Sequence, residues 1–299
     1  MAVQGWLERA GSKPGWWRGP NGVRVGWRAV MFLLLLVVFV FAEAGTVSRL
    51  SLPHPAAGVL LMPGFVVFNE ALLLVPALLA SLVMVRLEGR AFAVTCGVAD
   101  ARHTRRCAAG AAAGVALLGA LALALLLSGH AHLALSGLGG RDIAAYAIIW
   151  AAVSLLIGAA EEFAFRGYLF QALGRGGVWP AIGVTSLLFG VVHYSDIGEG
   201  LIGVGNAVLA GGIFALLIRR TGSLWASIGL HGGWDYGENF LFGAHDSGQA
   251  CAFTLLQLSP VGVPWLSGGD TGPEGSLLAT GILMAAGLAI LLWRKEASG

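Results

Sequence analysis

The chain has 299 residues, of which 57% are hydrophobic and only 11% charged, with a net charge of +2 and a mean hydropathy of +0.79. Soluble domains carry roughly 25% charged residues, so this composition excludes a water-soluble enzyme and points to an all-α polytopic membrane protein, with the lipid bilayer as its first partner. The small net charge gives no basis for a nucleic-acid partner, and no polar stretch is long enough for a separate soluble domain.

Residues 1–27 read as a cytoplasmic basic leader, rich in Trp and carrying Arg9, Lys13, Arg18 and Arg24, with Arg28 directly after it. The apolar run that begins at Ala29 has no small-residue cleavage site before polar sequence resumes, so it reads as a retained signal-anchor helix. From 28 to 295 the chain reads as one transmembrane helical domain. A helix needs about 20 mostly apolar residues to span the hydrocarbon core. Eight such runs are expected, at 28–46, 64–85, 107–127, 142–173, 178–195, 200–218, 223–242 and 276–293. Between them lie Pro53-His54-Pro55, the charged stretch from Arg86 to Arg106, Gly139-Gly140, the glycine cluster at 174–177, and a long Gly/Pro/Ser segment, 243–275. These are loop compositions. Gly110 and Gly114 form a small-xxx-small face on the third run, a sign of close helix packing. Cys96, Cys107 and Cys251 form no paired framework.

Orientation follows from the basic residues of the loops. With the N-terminus in the cytoplasm, all of the 18 Lys and Arg fall on that side except Arg49, Arg141 and Arg166. Both termini are then cytoplasmic, while Asp196, Glu199, Asp246, Asp270 and Glu274 lie in outer loops. Short loops and high Gly/Ala content suggest a bacterial cell membrane.

The fourth run holds the exceptional stretch, Glu161-Glu162-Phe163-Ala164-Phe165-Arg166-Gly167. Ionisable groups at membrane depth cost at least about 2.5 kcal/mol each, so three in six residues need a reason beyond packing. Apolar residues continue to the glycine cluster, so one long helix is expected, placing Glu161 about 18 Å above its inner end at 1.5 Å per residue. Glu162 and Arg166, four apart, share a face and can pair. Glu161 is rotated about 100° away and is left as the reactive carboxylate. Phe189-x-x-x-His193 on the fifth run and His231-x-x-x-Asp235 on the seventh bring two imidazoles and another acid to overlapping depths.

In that order on successive apolar segments, Glu161-Glu162-x-x-x-Arg166, Phe189-x-x-x-His193 and His231-x-x-x-Asp235 resemble the three motifs of the CAAX prenyl protease and bacteriocin-processing (CPBP) intramembrane proteases, over a core of about 140–245. The resemblance implies an active site inside the helix bundle and an endopeptidase acting on a membrane-associated peptide or protein. It implies Glu161 as general base, His193 holding the water, and His231 with Asp235 facing the oxyanion. Glu162, Arg166 and Phe189 would be structural support. An ionised Asp235 would repel an oxyanion, so it must be protonated, orient His231 or contact a metal. No cofactor is required by the sequence; zinc is compatible with Glu161, His193, His231 and Asp235 as ligands, although no HExxH is present.

Glu70, Glu238 and Asn239 are polar groups within apolar runs, and His130, His132 and His245-Asp246 are expected to be solvated. A transporter or proton relay also uses buried Glu/His pairs, but it predicts repeat symmetry and broken helices, and neither is evident. A non-catalytic membrane scaffold is the third reading. Its discriminator is whether Glu161→Gln abolishes a processing event.

Overall fold

A computed structural model describes residues 15–20, 22–49, 60–93, 100–194 and 200–293. The expectations for Arg9, Lys13, Pro53-His54-Pro55, Cys96, Asp196, Glu199, Arg294 and Lys295 lie outside the described residues. Among the described residues, eight principal helices occupy the eight expected runs. They are α1 (Val25–Arg49), α2 (Pro63–Leu87), α3 (Ala101–Leu127), α4 (Gly140–Gly174), α5 (Val178–His193), α6 (Leu201–Thr221), α7 (Leu224–Tyr236) and α8 (Leu277–Leu292). Among the described residues α1, α2, α3, α4 and α6 are long and apolar enough to cross a membrane, while α5 and α8 are shorter apolar helices. Large apolar side chains such as Leu34, Phe41, Ile148, Leu187, Leu201 and Leu288 are exposed on the bundle's outside. In water that would be costly; against acyl chains it is the expected lining.

α4 is continuous through the charged stretch, as its apolar pattern predicts, but its middle is not regular α-helix. Phe163–Gly167 is a π-helical segment, with Tyr168–Gly174 resuming the α-helix beyond it. Such one-turn widenings are frequent at functional sites. α7 likewise continues as a π-helical turn, Gly237–Phe242, ending on Gly243 in the left-handed conformation (φ 52°).

α7 is the central helix, and glycine is what lets its neighbours approach. A Cβ at Gly229 would lie 2.0 Å from the Cys107 carbonyl oxygen, and one at Gly233 2.1 Å from that of Ala111. From the opposite side, a Cβ at Gly114 would lie 2.1 Å from the Leu230 carbonyl oxygen. The small-residue face expected on α3 therefore has a matching face on α7. Gly232 makes the same kind of contact with α4, where an added Cβ would sit 2.7 Å from the Ser154 carbonyl oxygen. Backbone thus meets backbone on two sides of α7. Contact at this range suits helices whose association gains little from the hydrophobic effect in lipid.

At the basic end, Glu88 ties α1 and the end of α4 to the end of α2. Its carboxylate accepts from Arg28 Nη1 at 2.7 Å, Arg90 Nη1 at 2.8 Å, Arg175 Nη2 at 2.9 Å and the Tyr168 hydroxyl at 2.8 Å. Glu88 lies just past the last residue of α2. Burial works to raise its pKa, but the hydrogen bonds from Arg90 and Tyr168, with the charges of Arg175 and Arg28, outweigh that and hold it below the usual carboxylate value.

At the other end, the Gly/Pro/Ser segment expected to be loop is folded back over the bundle. Its strand Leu256–Pro260 pairs antiparallel with Ala131–Leu135, and Gln249–Cys251 pairs with both His245–Asp246 and Leu60–Leu61. The Trp150 indole donates to the Ala252 carbonyl at 3.0 Å, and Tyr146 stacks on Phe253 at 4.1 Å. This cap is where loop composition and observed structure part company.

Candidate active site

Three helices supply the expected side chains. Arg166, in the π-helical segment of α4, is fully buried and donates from Nη1 to Glu162 Oε1 at 2.9 Å. The second oxygen of Glu162 accepts from the Ser227 hydroxyl of α7 at 2.6 Å. The guanidinium lies 4.2 Å from the centre of the Phe189 ring on α5, so the charge is held between a carboxylate and an aromatic face. Gly211 on α6 leaves room for it, since an added Cβ would come within 2.5 Å of Arg166 Nη2.

His231 on α7 is buried and stacks on Phe214 of α6 at 4.6 Å between centroids and 18° between planes. Its Nδ1 faces Glu162 Oε1 at 3.5 Å; its Nε2 faces Glu161 Oε2 at 3.7 Å and Asp235 Oδ1 at 3.8 Å. The last two separations exceed hydrogen-bond length, leaving the space a bridging water or a substrate atom takes. Of the atoms facing that space, Glu161 Oε2 is buried without a hydrogen-bond partner among the described residues. His193 on α5 donates from Nδ1 to the Phe189 carbonyl at 2.7 Å, because a carbonyl can only accept. In the neutral ring, Nε2 then carries the lone pair.

These groups line one polar cavity of about 190 Å³, whose walls include Glu161, His193, His231 and Asp235. A cavity of this size and polarity accommodates several waters. A second, apolar cavity of about 70 Å³ shares His193, His231 and Asp235 with the first and is walled by Phe214, Ala210 and Leu230 among others.

The cavity also holds residues whose role the sequence did not disclose. Glu70 of α2 and, from the cap, Asp246 and Glu274 are part of its wall. Asp246 is not the solvated residue expected. Enclosure of its carboxyl raises the Asp246 pKa, and the nearby Glu161 charge adds to the shift. Asn206 of α6 is buried and donates to the carbonyls of Glu274 and Ser276 at 2.6 and 2.9 Å, anchoring the turn that carries Glu274. The wall is built from the N-terminal end of α2 and from the cap. The lining thus places the cavity beside the cap, away from the basic end.

Among the described residues, the carboxylate and imidazole atoms that converge within 4.8 Å as a group of three are those of Glu238, Asp246 and Glu274. Glu161, His193, His231 and Asp235, the residues compatible with zinc by type, form no such group of three among the described residues, and this arrangement does not fit the ion.

Residues 143–237, about a third of the chain, match the family described as type II CAAX prenyl endopeptidase Rce1-like. The matched stretch contains Glu161, His193, His231 and Asp235 and agrees with the resemblance carried by the three motifs. No curated protein was found to match the chain.

Proposed function

We propose that this multi-pass membrane protein, with its Rce1-like core at 143–237, is an intramembrane endopeptidase in which Glu161 activates water. The observation that carries the reading is the partnerless Glu161 Oε2, 3.7 Å from His231 Nε2 and opening onto a polar cavity inside an apolar bundle. A buried carboxylate without a partner is costly and persists where something in the cavity uses it.

Glu161 takes a proton from water while the oxygen attacks the carbonyl carbon of the scissile amide. His193, its Nδ1 tied to Phe189, accepts from that water at Nε2 and orients it. The carbonyl electrons collect on the oxyanion, which His231 stabilises by donating from Nε2. Asp235, 3.8 Å from the same nitrogen, adds a second donor to the oxyanion in its protonated form. The proton held by Glu161 passes to the leaving nitrogen, the C–N bond breaks, and carboxylate and amine products result. Glu162 and Arg166 do not touch substrate; their pairing fixes the π-helical turn from which Glu161 projects. Both termini lie in the cytoplasm in this reading, and the substrate is a membrane-associated protein or peptide.

The test is N-terminal proteomics of membranes from cells carrying the wild type or Glu161→Gln at equal protein levels. Neo-N-termini present with the wild type and lost in the variant are expected. An unchanged set would remove Glu161 from the chemistry, and uptake or current that tracks Glu161 without cleavage would favour a transporter.

A further inference from the structure

We infer that Glu238, Asp246 and Glu274 form a binding site for one divalent, oxygen-preferring cation, which clamps the cap onto α7 beside the cavity. One carboxylate oxygen from each lies within 4.8 Å of the others. Three oxygens no farther apart than this surround a point at most about 2.8 Å from each, so a small inward shift brings all three to the roughly 2.3–2.6 Å of calcium–oxygen bonds. The residues come from separate places: the π-helical turn after α7, the tip of the 245–251 hairpin, and the 3-10 turn Pro273–Gly275.

A second observation points to a ligand independently of the clustering. Glu238 is 1% exposed, and its Oε1 has no hydrogen-bond partner among the described residues. Such an atom, buried on a helix that ends in the bundle, calls for a cation or a proton donor. The surroundings are pre-set to hold the cluster. Ser247 donates to Glu274 Oε1 from both its amide and its hydroxyl at 3.1 Å, and Asn206 holds the Glu274 carbonyl. The donors are all carboxylates, which favours calcium, magnesium or manganese over thiol- and imidazole-seeking metals. Asp246 and Glu274 also line the cavity with Glu161 and His231. The ion is thus a positioning element for the cavity wall, separate from the water-activating group.

The experiment uses the full chain in detergent, in the Glu161→Gln background, so that it reads binding whether or not the chain is a protease. After chelator treatment, calcium is titrated while thermal unfolding is followed, and terbium luminescence is excited through tryptophan. Trp234, which lines the neighbouring cavity with Glu274, is the expected sensitiser. A saturable rise in unfolding temperature is expected, with half-saturation below about 1 mM. Terbium luminescence that calcium displaces should accompany it. Asp246→Asn and Glu274→Gln, checked for unchanged helix content, should each weaken binding at least tenfold. No cation-dependent change in the chelator-treated protein would overturn the inference. So would full binding in the Asp246→Asn, Glu274→Gln double variant.

Discussion

Gly233→Ala tests whether α3 places the proposed active site. The new Cβ would lie 2.1 Å from the Ala111 carbonyl oxygen and 2.6 Å from the Ala111 Cα, both backbone atoms. No side-chain rotation relieves such a clash, so α3 and α7 must part by about 1 Å. Overpacking of this kind costs about 1–3 kcal/mol in stability. The displacement passes straight to His231 and Asp235, two residues to either side, and an error of about 1 Å in a reacting group costs about 10²-fold in rate. That loss corresponds to about 2.7 kcal/mol of barrier. The control is Gly183→Ala in α5, where an added Cβ meets nothing within 4 Å. There alanine should be neutral or stabilise the helix by up to about 1 kcal/mol. The two variants are compared by thermal unfolding in detergent and by the rate of the processing event lost in Glu161→Gln. If Gly233→Ala unfolds and processes like Gly183→Ala, backbone contact with α3 is not what sets the position of His231.

Glu88→Gln should destabilise the fold by about 3 kcal/mol, the lower end for breaking a buried ion pair. Arg28 accounts for most of this because it is buried, whereas Arg90 and Arg175 are partly exposed and screened. Since the Glu88 pKa is lowered in the folded protein, its contribution is fully present above the ordinary carboxylate value near pH 4.3. That stability is lost as pH falls through the lower folded-state value. Unfolding midpoints of wild type and Glu88→Gln, compared from pH 7 to pH 3, should therefore converge at the acid end. Gly211→Ala, whose methyl would press on Arg166, should reduce processing by tenfold or more with little loss of helix content; unchanged processing would show that the guanidinium can shift freely. Asn206→Ala removes both donors to the Glu274 turn and should increase protease sensitivity within 243–276, read by limited proteolysis and mass mapping.

The helices were legible because lipid demands long uninterrupted apolar runs, and all eight runs are helical. The pairing of Glu162 with Arg166 was also readable, since it is set by local spacing, as was the divergence of Glu161 from Glu162. His231 now lies between those two carboxylates, one facing each ring nitrogen. The π-helical turns left no sequence signal, because the same residues satisfy a regular helix. Asp246 was read as solvated and Glu274 as an outer-loop residue because loop composition says nothing about where a loop folds. The cap is fixed by strands of two to five residues whose partners lie far away in the chain, too short for periodicity to show. Gly211 and Asn206 were silent for a related reason: their value lies in what approaches them from another helix.

The π-helical turn in α4 gives that helix two jobs that a regular helix could not combine as easily. Five residues in place of an ordinary turn shift the angular register of everything beyond Gly167. The N-terminal part can thus aim Glu161 and Glu162 at α7, while Tyr168, directly past the wide turn, reaches Glu88 at the basic end of the bundle. Shortening the chain by one residue there would break that division, because no rotation of a straight rod can serve both partners at once.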